Sequence, residues 1–366
     1  MRSTRRIVVV LVSLMLLTAV ALPVFAAGAR EEVPYIAVVS KGEQHDFWQT
    51  VRMGAEAAAE EYGVDMTFEG PPSESDIQIQ VEMLNSALAR GPVALALAAL
   101  DTGSVLDQLA EARQRGIPVV GFDSGVPEAP EGSIVADAST DNYAAAGMAA
   151  EIMFEELKDK ISAASSANPV RLVVMNQDAS GESLLSRGRG FRDYMVNVIV
   201  DNTDLTRSDI RVTGNPAYIA DDSPTGGDKV FIEMVVPASA DEQDATSSAH
   251  AILNRVDGDN IIGLFCSNEA TVKGLLAATD DGTTLGSRYE DLVVIGFDAG
   301  AAQKNAVREG FFLGSITQDP YMIGYYSVEL AYKAYRGETV EDIDTGAQFY
   351  NAGNMDDPDI ARLLYD

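Results

Sequence analysis

Two short apolar runs in this chain end in the same three residues: Ile117-Pro-Val-Val-Gly-Phe-Asp123 and Leu292-Val-Val-Ile-Gly-Phe-Asp298. A continuous apolar run of this length suits a strand covered on both faces, as in a parallel sheet. Each aspartate then stands at a strand's carboxyl end, where open α/β sheets bind their ligands. Residues of matching chemistry follow other predicted strands: Phe47-Trp48 after the first, Asn268 after the strand holding Cys266, and Gln318 after the last. Carboxylates and amides bond in pairs to neighbouring hydroxyls, and flat aromatic rings cover weakly apolar C–H faces. Together they describe a site for a small polyhydroxylated molecule. Two plainer readings stay open at this level. A strand-terminal Asp also serves as a helix N-cap, and an aromatic pair at a helix start also packs a core.

Catalysis has less to draw on. The two histidines, His45 and His250, lie far apart in sequence. There is no Gly-x-Ser-x-Gly elbow, no Walker phosphate loop and no His/Cys cluster with zinc spacing. Arg187-Gly-Arg-Gly190 falls inside a predicted helix rather than after a strand, so it does not read as a phosphate loop. Asp257-Gly-Asp259-Asn260 lacks the remaining positions of a calcium loop and reads as a turn. No catalytic residue, metal or cofactor is therefore expected. The two Gly-Phe-Asp carboxylates would make a glycosidase pair only if one of them had a raised pKa.

The elements that must position these residues alternate along the chain. Strands are expected at Tyr35 to Val39, Asp65 to Phe68, Val93 to Leu97 and Ile117 to Phe122, with helices between them. After a helix from Asn142 to Lys158 the pattern restarts, with strands beginning at Val170, Lys229, Ile261, Leu292 and Leu313. Strand–helix alternation implies right-handed crossovers and parallel sheets. The fold class is thus α/β, with one lobe following another. Residues 201–228, with Pro216, Pro224 and Gly226-Gly227, read as a long loop or an insertion.

At 366 residues the chain can form two cores. Lys+Arg 26 against Asp+Glu 56 gives a formal net charge of -30, which repels phosphate backbones and argues against nucleic-acid binding. Arg2, Arg5 and Arg6 precede an apolar run from Ile7 to Leu22 and then Pro23-Val-Phe-Ala-Ala-Gly-Ala29. That is the pattern of a cleaved secretory signal peptide, assigned to 1–26. No cysteine stands near the cleavage site, so no lipid anchor is expected. Cys266 is the sole cysteine, which rules out an intramolecular disulfide despite export.

Taken in order, these features resemble the periplasmic sugar-binding proteins of ABC importers. The resemblance is to the ribose/galactose-binding type, which shares its core with LacI-like repressors. The landmarks are Phe47-Trp48 with Gly54, Ile117-Pro-Val-Val-Gly-Phe-Asp123, Thr140-Asp-Asn142, Arg187-Gly-Arg-Gly-Phe191, Phe265-Cys-Ser-Asn-Glu269, Val294-Ile-Gly-Phe-Asp298 and Ile316-Thr-Gln-Asp-Pro320. The resemblance implies the type I periplasmic binding protein fold: two doubly wound parallel-sheet lobes joined by a three-strand hinge. It puts the crossings near Thr140, Asp319 and Ala347. The N-terminal lobe would be 33–139 plus 319–346, and the C-terminal lobe 140–318 plus 347–366.

Carried over by position, Phe47 and Trp48 would sandwich the sugar ring, while Asp123, Asn142, Arg187, Asn268, Asp298 and Gln318 would bond its hydroxyls. The family implies a periplasmic monomer, without enzyme activity or cofactor. It would bind a monosaccharide or similar polyol and deliver it to a membrane permease. A small-molecule sensor subunit, binding a sugar, cyclitol, nucleoside or furanose signal for a chemoreceptor or signalling partner, uses the same lobes and is the alternative. Two departures matter: Ser124 follows Asp123 where ribose binders usually have arginine, and Lys41-Gly-Glu-Gln-His45 is longer than usual. Both change the hydroxyl pattern the site can satisfy, so the particular sugar stays open.

Overall fold

The structure is a computed structural model that describes residues 33–365. The expected signal peptide therefore lies outside the described residues. The first sheet is built from β1 (Tyr35–Val39), β2 (Asp65–Glu69), β3 (Ala94–Leu97), β4 (Val119–Phe122) and β5 (Ile134–Ser139). Helices α1 (Asp46–Tyr62), α2 (Ile77–Ala89) and α3 (Leu106–Gln114) connect its first four strands. The second part runs α4 (Asn142–Ser162), β6 (Val170–Met175), α5 (Glu182–Asn202), β7 (Ile210–Gly214), β8 (Val230–Val235), α6 (Glu242–Leu253), β9 (Ile261–Cys266), α7 (Glu269–Ala278), β10 (Val293–Phe297), α8 (Ala301–Arg308) and β11 (Gly314–Gln318). The chain then continues through α9 (Pro320–Tyr335), β12 (Ile343–Asp344), β13 (Ala347–Tyr350) and α10 (Pro358–Ala361).

Two sheets result, in the orders β12-β5-β4-β3-β1-β2 and β13-β11-β10-β9-β6-β8-β7. Among the described residues, only β11 and β13 pair antiparallel. In each sheet the chain leaves the central strand (β1 or β6) on one side and returns on the other. That reversal opens a crevice at the strands' carboxyl ends. The inner strands are apolar on both faces because helices cover both: β3 (ALAL) and β9 (IIGLFC) are buried at every position. Cys266, at the end of β9, has no exposed surface, and burial alone raises the pKa of its thiol.

Two expectations needed correction. Residues 201–228 are not a plain loop, because β7 lies among them and pairs in parallel with β8 at the edge of the second sheet. Its Pro- and Gly-rich flanks masked a short strand. β5 is a strand the sequence does not signal, since IVADAS carries Asp137 and two alanines where a buried strand would be more apolar.

The chain passes between the sheets three times: from β5 to α4, from β11 to α9, and from β12 to β13. The first and third passages are tied to each other. Thr345 N–H donates to Ser139 O at 3.0 Å, and Asp141 N–H donates to Asp344 Oδ1 at 3.0 Å. Helix α9 follows a strand of the second sheet but packs on the first, against α1. The two helices touch through glycines. A Cβ on Gly54 would lie 1.9 Å from Tyr321 O, and one on Gly324 would lie 1.8 Å from Val51 O. Gly324→Ala is therefore expected to force the helices apart at a cost of about 1–3 kcal/mol, read as a lower urea midpoint.

Asp137 on β5 is the costly residue near these passages. Burial, with the carboxylate of Asp342 beside it, pushes its pKa up to about 6. Its Oδ1 is buried and accepts no hydrogen bond. An acid whose folded pKa is raised releases its proton first from the unfolded chain, so its contribution to stability falls as pH rises from about 4 to 6. Asp137→Asn removes that penalty. It should stabilise the protein by about 1–3 kcal/mol near pH 7.5 and have little effect near pH 3.5, measured by urea unfolding at both values.

Candidate functional site

Asp123 and Asp298 follow β4 and β10, and both adopt the left-handed backbone conformation, with φ of 56° and 80°. Non-glycine residues seldom do so, and such strain persists where surrounding contacts fix it. Here each aspartate's N–H is tied to the neighbouring strand: Asp123 to Ala138 O at 3.1 Å and Asp298 to Ile316 O at 2.6 Å. The same local turn thus aims one carboxylate from each sheet into a shared cavity. That cavity is also lined by Phe47, Trp48, Arg187, Asn268 and Gln318.

Each carboxylate has a cation. Lys41 Nζ stands 2.9 Å from Asp123 Oδ2, and both side chains are almost fully buried. Burial works against the Lys41 ammonium, but Asp123 and Glu74 outweigh it and raise its pKa above the ordinary lysine value. Arg187 Nη1 lies 3.8 Å from Asp298 Oδ2, with the guanidinium stacked 3.8 Å above the Phe297 ring centroid. Asp298 Oδ1 accepts from Gln318 Nε2 at 2.7 Å, and Oδ2 accepts from Glu269 N–H at 3.1 Å. Burial nevertheless raises the Asp298 pKa, against the opposing pull of Arg187 and Gln318. Gln318 Oε1 is buried and unpartnered within the protein, so the site has a polar atom to spare.

Seven of the eight residues singled out from sequence line this cavity. Asn142 does not. It stands behind Arg187, where its Oδ1 accepts from Arg187 Nε at 2.8 Å and its Nδ2 donates to Thr140 O at 3.1 Å. The aromatic pair also departs from expectation. Phe47 and Trp48 meet edge to face, with ring centroids 4.9 Å apart and planes at 90°. Rings so placed cannot bracket one sugar between parallel planes, and offer one face and one edge instead.

Lys41, His45, Glu74, Leu184, Glu269 and Ala270 complete the lining. Sequence reasoning missed them as site residues. Lys41 and His45 sit in the segment noted only for its length, and Glu74 lies in a Pro/Ser loop that no motif marks. Glu269 pairs with Lys273 at 2.5 Å, and the Lys273 Nζ also lies 3.3 Å from His45 Nδ1. Among the described residues, no group of three or more His, Cys, Asp or Glu side chains could hold a metal ion.

The chain belongs to the periplasmic binding protein domain family, which it matches over residues 36–339. Among curated proteins it is similar to the D-allose-binding periplasmic protein of Escherichia coli. The two are 23% identical over 317 residues, covering 86% of this chain and 88% of that one. Among solved structures it is similar to an ABC transporter, LacI family transcriptional regulator from Brachyspira murdochii. That chain is 40% identical with a TM-score of 0.74, and the match covers 91% of this chain and 99% of that chain. An ABC transporter solute binding protein from Agrobacterium vitis with bound D-fucose is 28% identical with a TM-score of 0.73, over 90% of this chain and 100% of that one. Sugar-binding transport proteins are thus its relatives, and the type I fold expected from the sequence is the fold observed.

Arg187 carries more of this site than hydroxyl contact alone would ask. It holds Asn142, donates to Ser267 O at 3.0 Å and neutralises Asp298. Arg187→Ala should therefore destabilise the protein by about 3 kcal/mol, because it leaves a buried carboxylate uncompensated. Arg187→Lys should recover only part of that loss, since it keeps the charge but loses the planar stack. Urea midpoints of both variants check the order.

Proposed function

We propose that the protein is an exported solute-binding protein that captures a monosaccharide between its lobes and delivers it to an ABC importer. One observation carries the reading: matched aspartates at strand ends of two separate sheets open on a single cavity that also holds Arg187, Asn268, Gln318, Phe47 and Trp48. Asp123 and Asp298 accept from sugar hydroxyls. Arg187, Asn268 and Gln318 supply donors, with Asn142 fixing Arg187. Trp48 and Phe47 present apolar surface to the ring's C–H groups. The relatives named for D-allose and found with D-fucose support a pyranose-sized ligand.

The lobes 33–139 with 319–346 and 140–318 with 347–366 move as two bodies about the three passages. Only the closed arrangement engages both half-sites, so the ligand favours it. The protein binds without turnover and works as a monomer in the periplasm, reached through the signal peptide. The membrane permease is its partner, and nucleic acid is not.

A thermal-shift panel of D-allose, D-ribose, D-fucose, D-galactose and myo-inositol tests the proposal. A ligand at 100 times its Kd adds about 2.7 kcal/mol of stability and should raise Tm by several degrees. A panel in which no pentose, hexose or cyclitol moves Tm would overturn the monosaccharide assignment.

A further inference from the structure

We propose that Glu74 is the positioning residue that couples the aromatic surface of the site to lobe closure. Glu74 lies on the loop between β2 and α2, on the first sheet. Its Oε1 accepts from Trp48 Nε1 at 2.7 Å, within the same lobe. Its Oε2 accepts from Gln177 Nε2 at 3.1 Å, and Gln177 follows β6 in the second sheet. The carboxylate thus joins the site's tryptophan to the opposing lobe. This link does not pass through the ligand.

The polarity of the link is fixed at every step. Asn268 caps α7, and its Oδ1 accepts from Thr271 N–H at 3.2 Å. Its Nδ2 is therefore the group that donates to Gln177 Oε1. Gln177 is left with its own Nε2 to present to Glu74. Trp48 has a donor and no acceptor. The two donors bond separate oxygens of Glu74, as an ionised carboxylate allows, whereas a carboxamide in its place would set its own NH2 against one of them. The surroundings keep Glu74 ionised. Burial opposes the charge, but Lys41, His45 and the bonds from Trp48 and Gln177 lower its pKa below the ordinary glutamate value. The residues on either side strengthen the same contact. Ser73 Oγ and Ser75 Oγ both donate to Asp241 Oδ1 on the second lobe, at 3.1 and 3.0 Å.

Trp48 is the only tryptophan of the chain, so its fluorescence reads the link directly. The first arm uses the full mature chain without added sugar. Glu74→Gln should red-shift Trp48 emission and increase acrylamide quenching. Both Glu74→Gln and Gln177→Ala should enlarge the radius of gyration in small-angle X-ray scattering, and Gln177→Ala should leave the emission close to that of the parent. The second arm rests on the sugar-binding reading and uses whichever panel sugar stabilises the parent. Each single variant should bind that sugar on the order of tenfold more weakly, and the double variant no more weakly than either alone. Unchanged quenching and radius in Glu74→Gln would overturn the proposal, as would fully additive losses in the double variant. If Glu74→Gln does not fold, the radius of Gln177→Ala decides. If no panel sugar binds, the assignment of ligand fails while the first arm still decides the role of Glu74.

Discussion

Two buried carboxylates have to be compensated before anything else in the cleft can work. Asp123 and Asp298 are both almost fully buried, and an unpaired charge in that position costs several kcal/mol. Each finds its cation within its own lobe: Lys41, just past β1, for Asp123, and Arg187, on α5, for Asp298. Neither half-site depends on the other for neutralisation. Lobes that separate would therefore expose two balanced surfaces rather than two orphaned charges. Bringing them together does not require burying an unpaired ion. On the proposed function, this lets the binding energy of the ligand go into closure.

The positions of these groups follow from topology. Parallel strands end on the same side of a sheet, so every loop that follows a strand opens on one edge. Lys41, Asp123, Gln177, Asn268 and Asp298 are all such residues, and Gln318 is the last residue of β11. The left-handed backbone at Asp123 and Asp298 turns the chain sharply enough to point a short side chain into the cavity rather than over the following helix. Aspartate tolerates that conformation better than most residues, which removes the need for a glycine that would carry no carboxylate.

Much of this was legible in the sequence, for a physical reason. Runs such as Val119-Val-Gly-Phe and Val293-Val-Ile-Gly-Phe are apolar at every position, which only a strand covered on both faces needs. The groups immediately after them were therefore found. The groups that escaped notice are on loops, where no periodicity constrains the sequence. Glu74 sits among Pro71, Pro72, Ser73 and Ser75, and only the folded chain brings it to Trp48 and Gln177. The angle between Phe47 and Trp48 was equally invisible. Adjacent positions in a helix point about 100° apart, but the ring planes depend on χ angles set by neighbours. β5 and β7 were lost because edge strands and strands beside a passage carry mixed polarity.

The lone thiol has a practical consequence. Cys266 is sealed beneath the end of β9, and burial keeps it in the protonated, unreactive form. A maleimide dye would find no native target on the folded protein. A cysteine introduced on either surface flanking the crevice would then label selectively, which makes the chain a ready scaffold for an optical sensor of its own ligand.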